Sequence, residues 1–180
     1  EWMNSDTFTA FAFPLNELMG KTIGIVGYGA IGKEVARIAE AFRMNIITYT
    51  RKSGKEQFER LLRESDVVTV HCPLNEESAG MFNRETFAKC KDGAYFVNTA
   101  RGGVVVDEDL VWALESGKLS GAAVDVLASE PMSKDCKLFG AKNITFTPHV
   151  AWAPIETRER LMEIVKENIR SFNVGCPKNK

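Results

Sequence analysis

Gly27, Gly29 and Gly32 fall in the pattern G-x-G-x-x-G, as Gly27-Tyr28-Gly29-Ala30-Ile31-Gly32, between an apolar run and an amphipathic stretch. In that setting the pattern has a chemical meaning, because strand, tight turn and helix N-terminus together cradle a pyrophosphate. Gly27 permits the turn, Gly29 lets phosphates approach the backbone, and Gly32 lets helix and strand pack closely. The helix start at Ala30 and Ile31 supplies free N–H groups and the positive end of the dipole. A mere glycine turn would carry the same letters, but both flanks here are those of a dinucleotide site. Three further segments each hold one chemically active side chain: Arg101 in Asn98-Thr99-Ala100-Arg101-Gly102-Gly103, Glu130 in the stretch from Val124 to Pro131, and His149 in Pro148-His149-Val150-Ala151-Trp152. Each alone has an ordinary explanation. Arg101 could pair with Asp107, Glu130 could cap the Pro131 turn, and His149 could be a satisfied loop histidine. Together they are a guanidinium, a carboxylate and an imidazole placed just past strand ends, where open α/β sheets bind ligands.

The elements that must position them alternate along the chain. Thr22-Ile23-Gly24-Ile25-Val26 is short and rich in β-branched residues, as a buried parallel strand requires. After the glycine turn, Ile31, Val35, Ile38, Ala39 and Phe42 recur on one helical face. Further strands are expected at Asn45–Tyr49, Val67–Val70, Ala94–Val97, Gly121–Val124 and Ile144–Phe146. Helices are expected at Glu56–Glu64, Asp107–Ser116 and Ile155–Phe172, the last with Leu161, Ile164, Val165, Ile169 and Phe172 on one face. A polar loop is expected after the third strand, through Pro73. Alternating β and α implies a Rossmann-like, doubly wound parallel sheet with helices on both faces. Residues 1–20, rich in Phe and Thr, read as an irregular arm, residues 21–153 as the dinucleotide-binding domain, and 154–180 as a terminal helix and tail.

Composition narrows the possibilities. At 180 residues the chain fits about one domain and can bury roughly 70% of its unfolded surface. Its 23 basic and 24 acidic residues give a formal charge of −1 without a basic cluster, which argues against nucleic acid or an anionic membrane as partner. No apolar run approaches the ~20 residues of a membrane span, and no signal-peptide pattern opens the chain. The four cysteines, Cys72, Cys90, Cys136 and Cys176, form no C-x-x-C pair. Reduced thiols in a cytoplasmic protein explain them better than a disulfide framework or a metal site, so no metal is expected.

The chain resembles the nucleotide-binding domain of the D-isomer-specific 2-hydroxyacid dehydrogenases. The likeness rests on Leu18-Met19-Gly20-Lys21-Thr22 through Gly32, His71-Cys72-Pro73-Leu74, Asn98 to Asp107, Ala123 to Pro131, and Thr147 to Trp152. Pro148 to Ala153 followed by Glu156-Thr157-Arg158 is most similar to the glycerate dehydrogenase/hydroxypyruvate reductase branch. The resemblance implies an NAD(P)-dependent oxidoreductase that interconverts a D-2-hydroxy acid and its 2-oxo acid, with D-glycerate/hydroxypyruvate or glycolate/glyoxylate as the best match. In that scheme Arg101 clamps the substrate's carboxylate and carbonyl oxygen. His149 donates the proton as a nicotinamide hydride attacks the carbonyl carbon, and Glu130 orients the imidazole and favours its charged form. Asp125 accepts a hydrogen bond from the nicotinamide amide, Thr99 and Ala100 line the ring's pocket, and Arg101, His149 and Ala151 border it. Cys72 and Pro73 belong to a cofactor-wall loop, which ranks His71 below His149 as the acid. The family often has Thr two residues after that proline; Asn75 stands here.

Thr50-Arg51-Lys52 ends the second strand without the carboxylate of NAD-preferring members. The two cations lean the expectation slightly toward NADP tolerance, while Thr50 bonding the ribose of NAD is the competing reading. The chain begins at Glu1 rather than Met, and the family's substrate lobe is built mainly from residues upstream of such a domain. An excised cofactor domain with little activity of its own is therefore expected, its last helix returning toward that lobe. The aromatic arm (Trp2, Phe8, Phe11, Phe13) implies a homodimer. The competing class is a non-catalytic, dinucleotide-sensing dimerisation module of the corepressor type.

Overall fold

A computed structural model describes Met3, Phe8 and residues 15–178. Its strands are β1 (Thr22–Val26), β2 (Asn45–Tyr49), β3 (Val67–Val70), β4 (Ala94–Asn98), β5 (Leu119–Val124) and β6 (Ile144–Phe146). Its helices are α1 (Ala30–Ala41), α2 (Gly54–Glu64), α3 (Arg84–Lys89), α4 (Asp107–Glu115) and α5 (Ile155–Asn173), with 3₁₀ turns at Arg51–Ser53 and Gly102–Val104. All six expected strands form, and their ends agree within two residues. The helix α3 was not expected. Six residues are too few to show a period, but a local signal exists: the Asn83 side chain accepts from the amides of Glu85 and Thr86, and the Thr86 hydroxyl accepts from Asn83 N–H.

The strands lie in the order β2-β1-β3-β4-β5-β6, every pairing parallel. After β1 the chain moves outward to β2, then returns to the other side of β1 for β3. The crevice at that reversal is where such sheets bind ligands. Register places the carboxyl ends in one row: Val26 is level with Tyr49 and Val70, Val70 with Asn98, Asn98 with Val124, and Val124 with Phe146. The next residues are Gly27, Thr50, His71, Thr99, Asp125 and Thr147. A single sheet edge therefore carries most of the candidate residues.

Alternate residues of a strand point to opposite faces. Val26, Ile47, Val68, Val70 and Phe96 enter the larger core with Leu61, Leu62, Leu110 and Leu114. Phe82, Phe87 and Phe96 meet there, with Phe96 4.9 Å from Phe82 and 5.3 Å from Phe87 between ring centres. Ile23 and Ile25 point the other way, onto Ala36 and Ala39 of α1.

The face expected of α1 is corrected here. Gly32, Ala36 and Ala39 are buried, whereas Ile31, Ile38 and Phe42 are 66%, 50% and 55% exposed. Small residues face the sheet because the helix starts so close to the turn: a Cβ on Gly32 would lie 2.1 Å from the Gly27 carbonyl oxygen. The larger side chains are left outside. The stripe Leu161, Ile164, Val165, Ile169 and Phe172 of α5 does lie on one helix, yet each member is exposed. Tyr95 on β4 is also exposed, so among the described residues the α1 layer stops short of that strand. The arm expected at residues 1–20 lies mostly outside the described residues; Met3 and Phe8 are exposed.

Candidate active site

Two cavities open along the carboxyl edge of the sheet. The first, of about 450 Å³, sits at the topological reversal and is lined by Gly27 to Gly29, Thr50, Arg51 and His71 to Pro73, among others. Gly27 has φ +97°, and a Cβ there would meet the His71–Cys72 backbone at 2.5 Å, so both conformation and space exclude a side chain. Gly29 differs: a Cβ would meet nothing within 4 Å, so its bareness leaves open room against the backbone at the start of α1. No side chain caps that helix N-terminus. Free N–H groups facing an open, glycine-lined cavity fit a dinucleotide's pyrophosphate.

The cavity walls include residues the sequence reading passed over. Tyr49, Ser78 and Met81 line it, as does Glu77. Asn75, found where the family often has Thr, builds the turn beneath them: its Oδ1 accepts from the amides of Glu77 and Ser78 at 3.1 and 3.0 Å. Thr50 gives its hydroxyl to a contact with Ser53 Oγ at 3.1 Å, closing the 3₁₀ turn that presents Arg51. His71 Nε2 lies 3.0 Å from the Thr69 hydroxyl, and burial pushes its imidazole below the ordinary value. A ring held neutral is a poor proton donor near neutral pH. Burial also raises the Cys72 thiol, keeping it protonated.

The second cavity, about 470 Å³, is lined by Asp125, Leu127, Glu130, Pro131 and His149, among others. His149 Nδ1 lies 2.7 Å from Glu130 Oε2. The other carboxylate oxygen of Glu130 accepts from the Leu127 amide at 2.8 Å. The Leu127 N–H, and then the His149 ring, hold the Glu130 carboxyl below its ordinary value. An ionised Glu130 only accepts, so Nδ1 carries the hydrogen and Nε2 is directed away from the pair.

Asp125 fixes the loop that carries this histidine. Its Oδ1 accepts from the Thr147 hydroxyl and the Val150 amide, its Oδ2 from the Ala151 amide at 2.9 Å. Its carbonyl accepts from His149 N–H at 2.9 Å. Burial raises the Asp125 carboxyl, but the Thr147 hydroxyl and the Ala151 and Val150 amides outweigh it and hold the group below its ordinary value. His149 has φ +52°, a conformation uncommon outside glycine, and these bonds over-determine it. The Trp152 indole adds a bond to the His149 carbonyl at 2.8 Å. The family resemblance implies a cofactor contact alone for Asp125, and a loop anchor leaves no spacing signal in the sequence.

Arg101 is not in this pair. Its guanidinium donates to the Ala100 carbonyl at 2.7 Å, and no ion pair joins it to Asp107 among the described residues. Its loop nevertheless abuts the Glu130 loop: a Cβ on Gly102 would lie 1.8 Å from the Leu127 carbonyl carbon. Asn98 shapes the turn, accepting from Ala100 N–H and donating to the Arg101 carbonyl. Thr99 and Ala100 thus stand on the sheet edge between the two cavities, flanked by β3 and β5. Ala30, Ile31 and Gly32 open α1 at the first cavity. No metal-binding cluster of His, Cys, Asp or Glu occurs among the described residues, whose cysteines are all free. No helix there is long and apolar enough to cross a membrane.

Known proteins resemble this chain over most of its length. A hydroxypyruvate reductase of Blautia hydrogenotrophica is 41% identical over 188 residues, covering 99% of this chain and 58% of the relative. A glycerate dehydrogenase of Methylorubrum extorquens is 38% identical, with the same 99% and 58% coverage. The solved D-lactate dehydrogenase of Aquifex aeolicus, complexed with NAD and lactic acid, superposes with a TM-score of 0.80 at 30% identity, covering 93% of this chain and 58% of that one. The chain thus spans little more than half the length of these relatives. Residues 1–151 match the profile of the D-isomer specific 2-hydroxyacid dehydrogenase NAD binding domain, and with a fold and sequence in such agreement the chain belongs to that family.

Proposed function

We propose that this chain is the cofactor-binding domain of an NAD(P)-dependent dehydrogenase that interconverts a D-2-hydroxy acid and its 2-oxo acid, with hydroxypyruvate or glyoxylate as the reducible substrate. The Glu130–His149 contact of 2.7 Å, on the same sheet edge as the glycine turn, is the observation that carries the reading. The names of the relatives above supply the substrate class. A nicotinamide dinucleotide, its pyrophosphate held at the Gly27–Gly29 turn and the start of α1, would supply the hydride. His149, oriented through Nδ1 by Glu130, donates a proton from Nε2 to the carbonyl oxygen as negative charge develops there. Arg101 turns from the Ala100 carbonyl to the substrate's carboxylate, for which its donor fork is suited. Thr99, Ala100, Asp125 and Ala151 would border the nicotinamide; Asp125 Oδ2 accepts one bond from the loop and has capacity for another.

In this reading α5 returns toward a substrate lobe outside residues 21–153, and the protein works as a cytoplasmic homodimer. The exposed apolar stripes on α1 and α5 support a need for cover. Titration with NADH and NADPH beside a Gly29→Val variant tests the first half. The new side chain enters open space, so the variant should fold and lose binding. For the second half, His149→Ala in the enzyme including the substrate lobe should lower turnover of hydroxypyruvate or glyoxylate by about 10²–10⁴-fold. Unchanged turnover would overturn the assignment of the proton donor.

A further inference from the structure

Dinucleotide sites hold the adenosine ribose at the end of the second strand, commonly with an acidic residue there. Here Thr50 occupies that place, its hydroxyl tied to Ser53, and the residues that follow are Arg51 and Lys52. A carboxylate nevertheless reaches the same cavity from elsewhere. Glu77 stands on the turn after β3, held by the Asn75 side chain and by Ser78, whose hydroxyl donates to the Pro73 carbonyl at 2.7 Å. Its Oε2 lies 3.5 Å from Arg51 Nη1, and both residues line the cavity. Among the described lining residues Glu77 is the sole carboxylate.

We propose that Glu77 sets the coenzyme selectivity: paired with Arg51 across the cavity, it neutralises the cation that a 2′-phosphate needs and accepts from the ribose hydroxyls of NAD(H). The inference rests on the cofactor reading above. A neutral ribose hydroxyl meets a ready acceptor. A 2′-phosphate dianion meets a guanidinium already engaged and a negative charge beside it. A 2′-phosphate at Arg51 therefore competes with the ion pair, and NAD(H) is favoured. Because the pair is exposed to water, the discrimination is modest, on the order of five- to tenfold.

The test is calorimetric titration of the protein, Glu77→Gln and the double variant Glu77→Gln/Arg51→Ala with NADH and NADPH, each variant's thermal midpoint being recorded. Glu77→Gln keeps the side chain's size and removes its charge. It should tighten NADPH relative to NADH by about fivefold or more, and the double variant should lose that gain. An unchanged NADPH/NADH affinity ratio in Glu77→Gln, or a gain that persists without Arg51, overturns the proposal. Absence of binding of either nucleotide to the parent would overturn the cofactor reading itself, and this inference with it.

Discussion

Gly102 joins the two halves of the candidate site, and replacing it by alanine is a sharp perturbation. The residue is buried at the start of the Gly102–Val104 turn, and its backbone is not in the left-handed region, so the effect is steric alone. The added Cβ would lie 1.8 Å from the Leu127 carbonyl carbon, 2.1 Å from its oxygen and 2.2 Å from the Ala128 nitrogen. Ordinary contact begins at 3.4 Å, so the loops must part by 3.4 − 1.8 = 1.6 Å. Every obstructing atom is backbone, and no rotamer change relieves the clash. Overpacking of this kind costs about 1–3 kcal/mol, which for a chain of this size lowers the melting midpoint by roughly 2–12 °C. The loop that moves is the one whose Leu127 amide holds Glu130, and through it His149. A displacement near 1 Å at a catalytic group costs on the order of 10²-fold in rate. Thermal unfolding of Gly102→Ala, with turnover measured in the enzyme that includes the substrate lobe, checks both figures. Gly29→Ala, with open space around its Cβ, is the control and should keep the parental midpoint. A Gly102→Ala protein with parental midpoint and turnover would refute the claim that the two loops position each other.

Three other outcomes are expected. Asp125 titrates below the ordinary 3.8 when folded, so its contribution to stability is fully present above that pH and disappears as pH falls through the folded value. Asp125→Ala should therefore cost about 1.5–3 kcal/mol at pH 7, from its hydrogen bonds, and progressively less below pH 3.8 in urea titrations. In the enzyme with its substrate lobe, Glu130→Gln withdraws the charge facing His149 Nδ1, so the alkaline limb of the reduction profile should move to lower pH, as stopped-flow NADH oxidation would show. Light scattering at tens of micromolar should give a dimer mass, and Ile38→Glu on the exposed face of α1 should shift it toward monomer; a monomeric parent would refute the dimer reading.

The sheet was legible because its inner strands β1 and β3 are covered on both faces and read as short β-branched runs, Thr22–Val26 and Val67–Val70. The Glu130–His149 contact was legible through the family resemblance; the residues alone showed only a carboxylate and an imidazole past strand ends, each with an ordinary explanation. Three features were not. The inner face of α1 was obscured because the sheet selects small residues, Gly32, Ala36 and Ala39, whereas a hydrophobic pattern weights Ile31, Ile38 and Phe42. The anchoring role of Asp125 depends on amides of Val150 and Ala151, which have no side-chain signature. Glu77 reaches Arg51 from 26 residues away, through a turn set by Asn75.

These differences separate what this domain has already arranged from what it has not. The glycine turn and the Glu130–His149 pair are fixed by backbone geometry: Gly27 and Gly102 lie against neighbouring loops, and Asp125 ties the histidine's own amide and the two after it. Groups so fixed need little rearrangement, which suits the cofactor-binding and proton-orienting roles proposed for them. Arg101, by contrast, is held by one hydrogen bond to the carbonyl of the residue before it and remains exposed. A single solvent-exposed bond of that kind contributes little net and yields readily to a carboxylate offering two. On the proposed function, the guanidinium is thus the part of the site that a substrate would have to recruit. Loss of Arg101 should therefore raise KM and lower turnover together, while loss of His149 falls mainly on turnover, and a KM unaffected by Arg101→Ala would place the carboxylate clamp elsewhere.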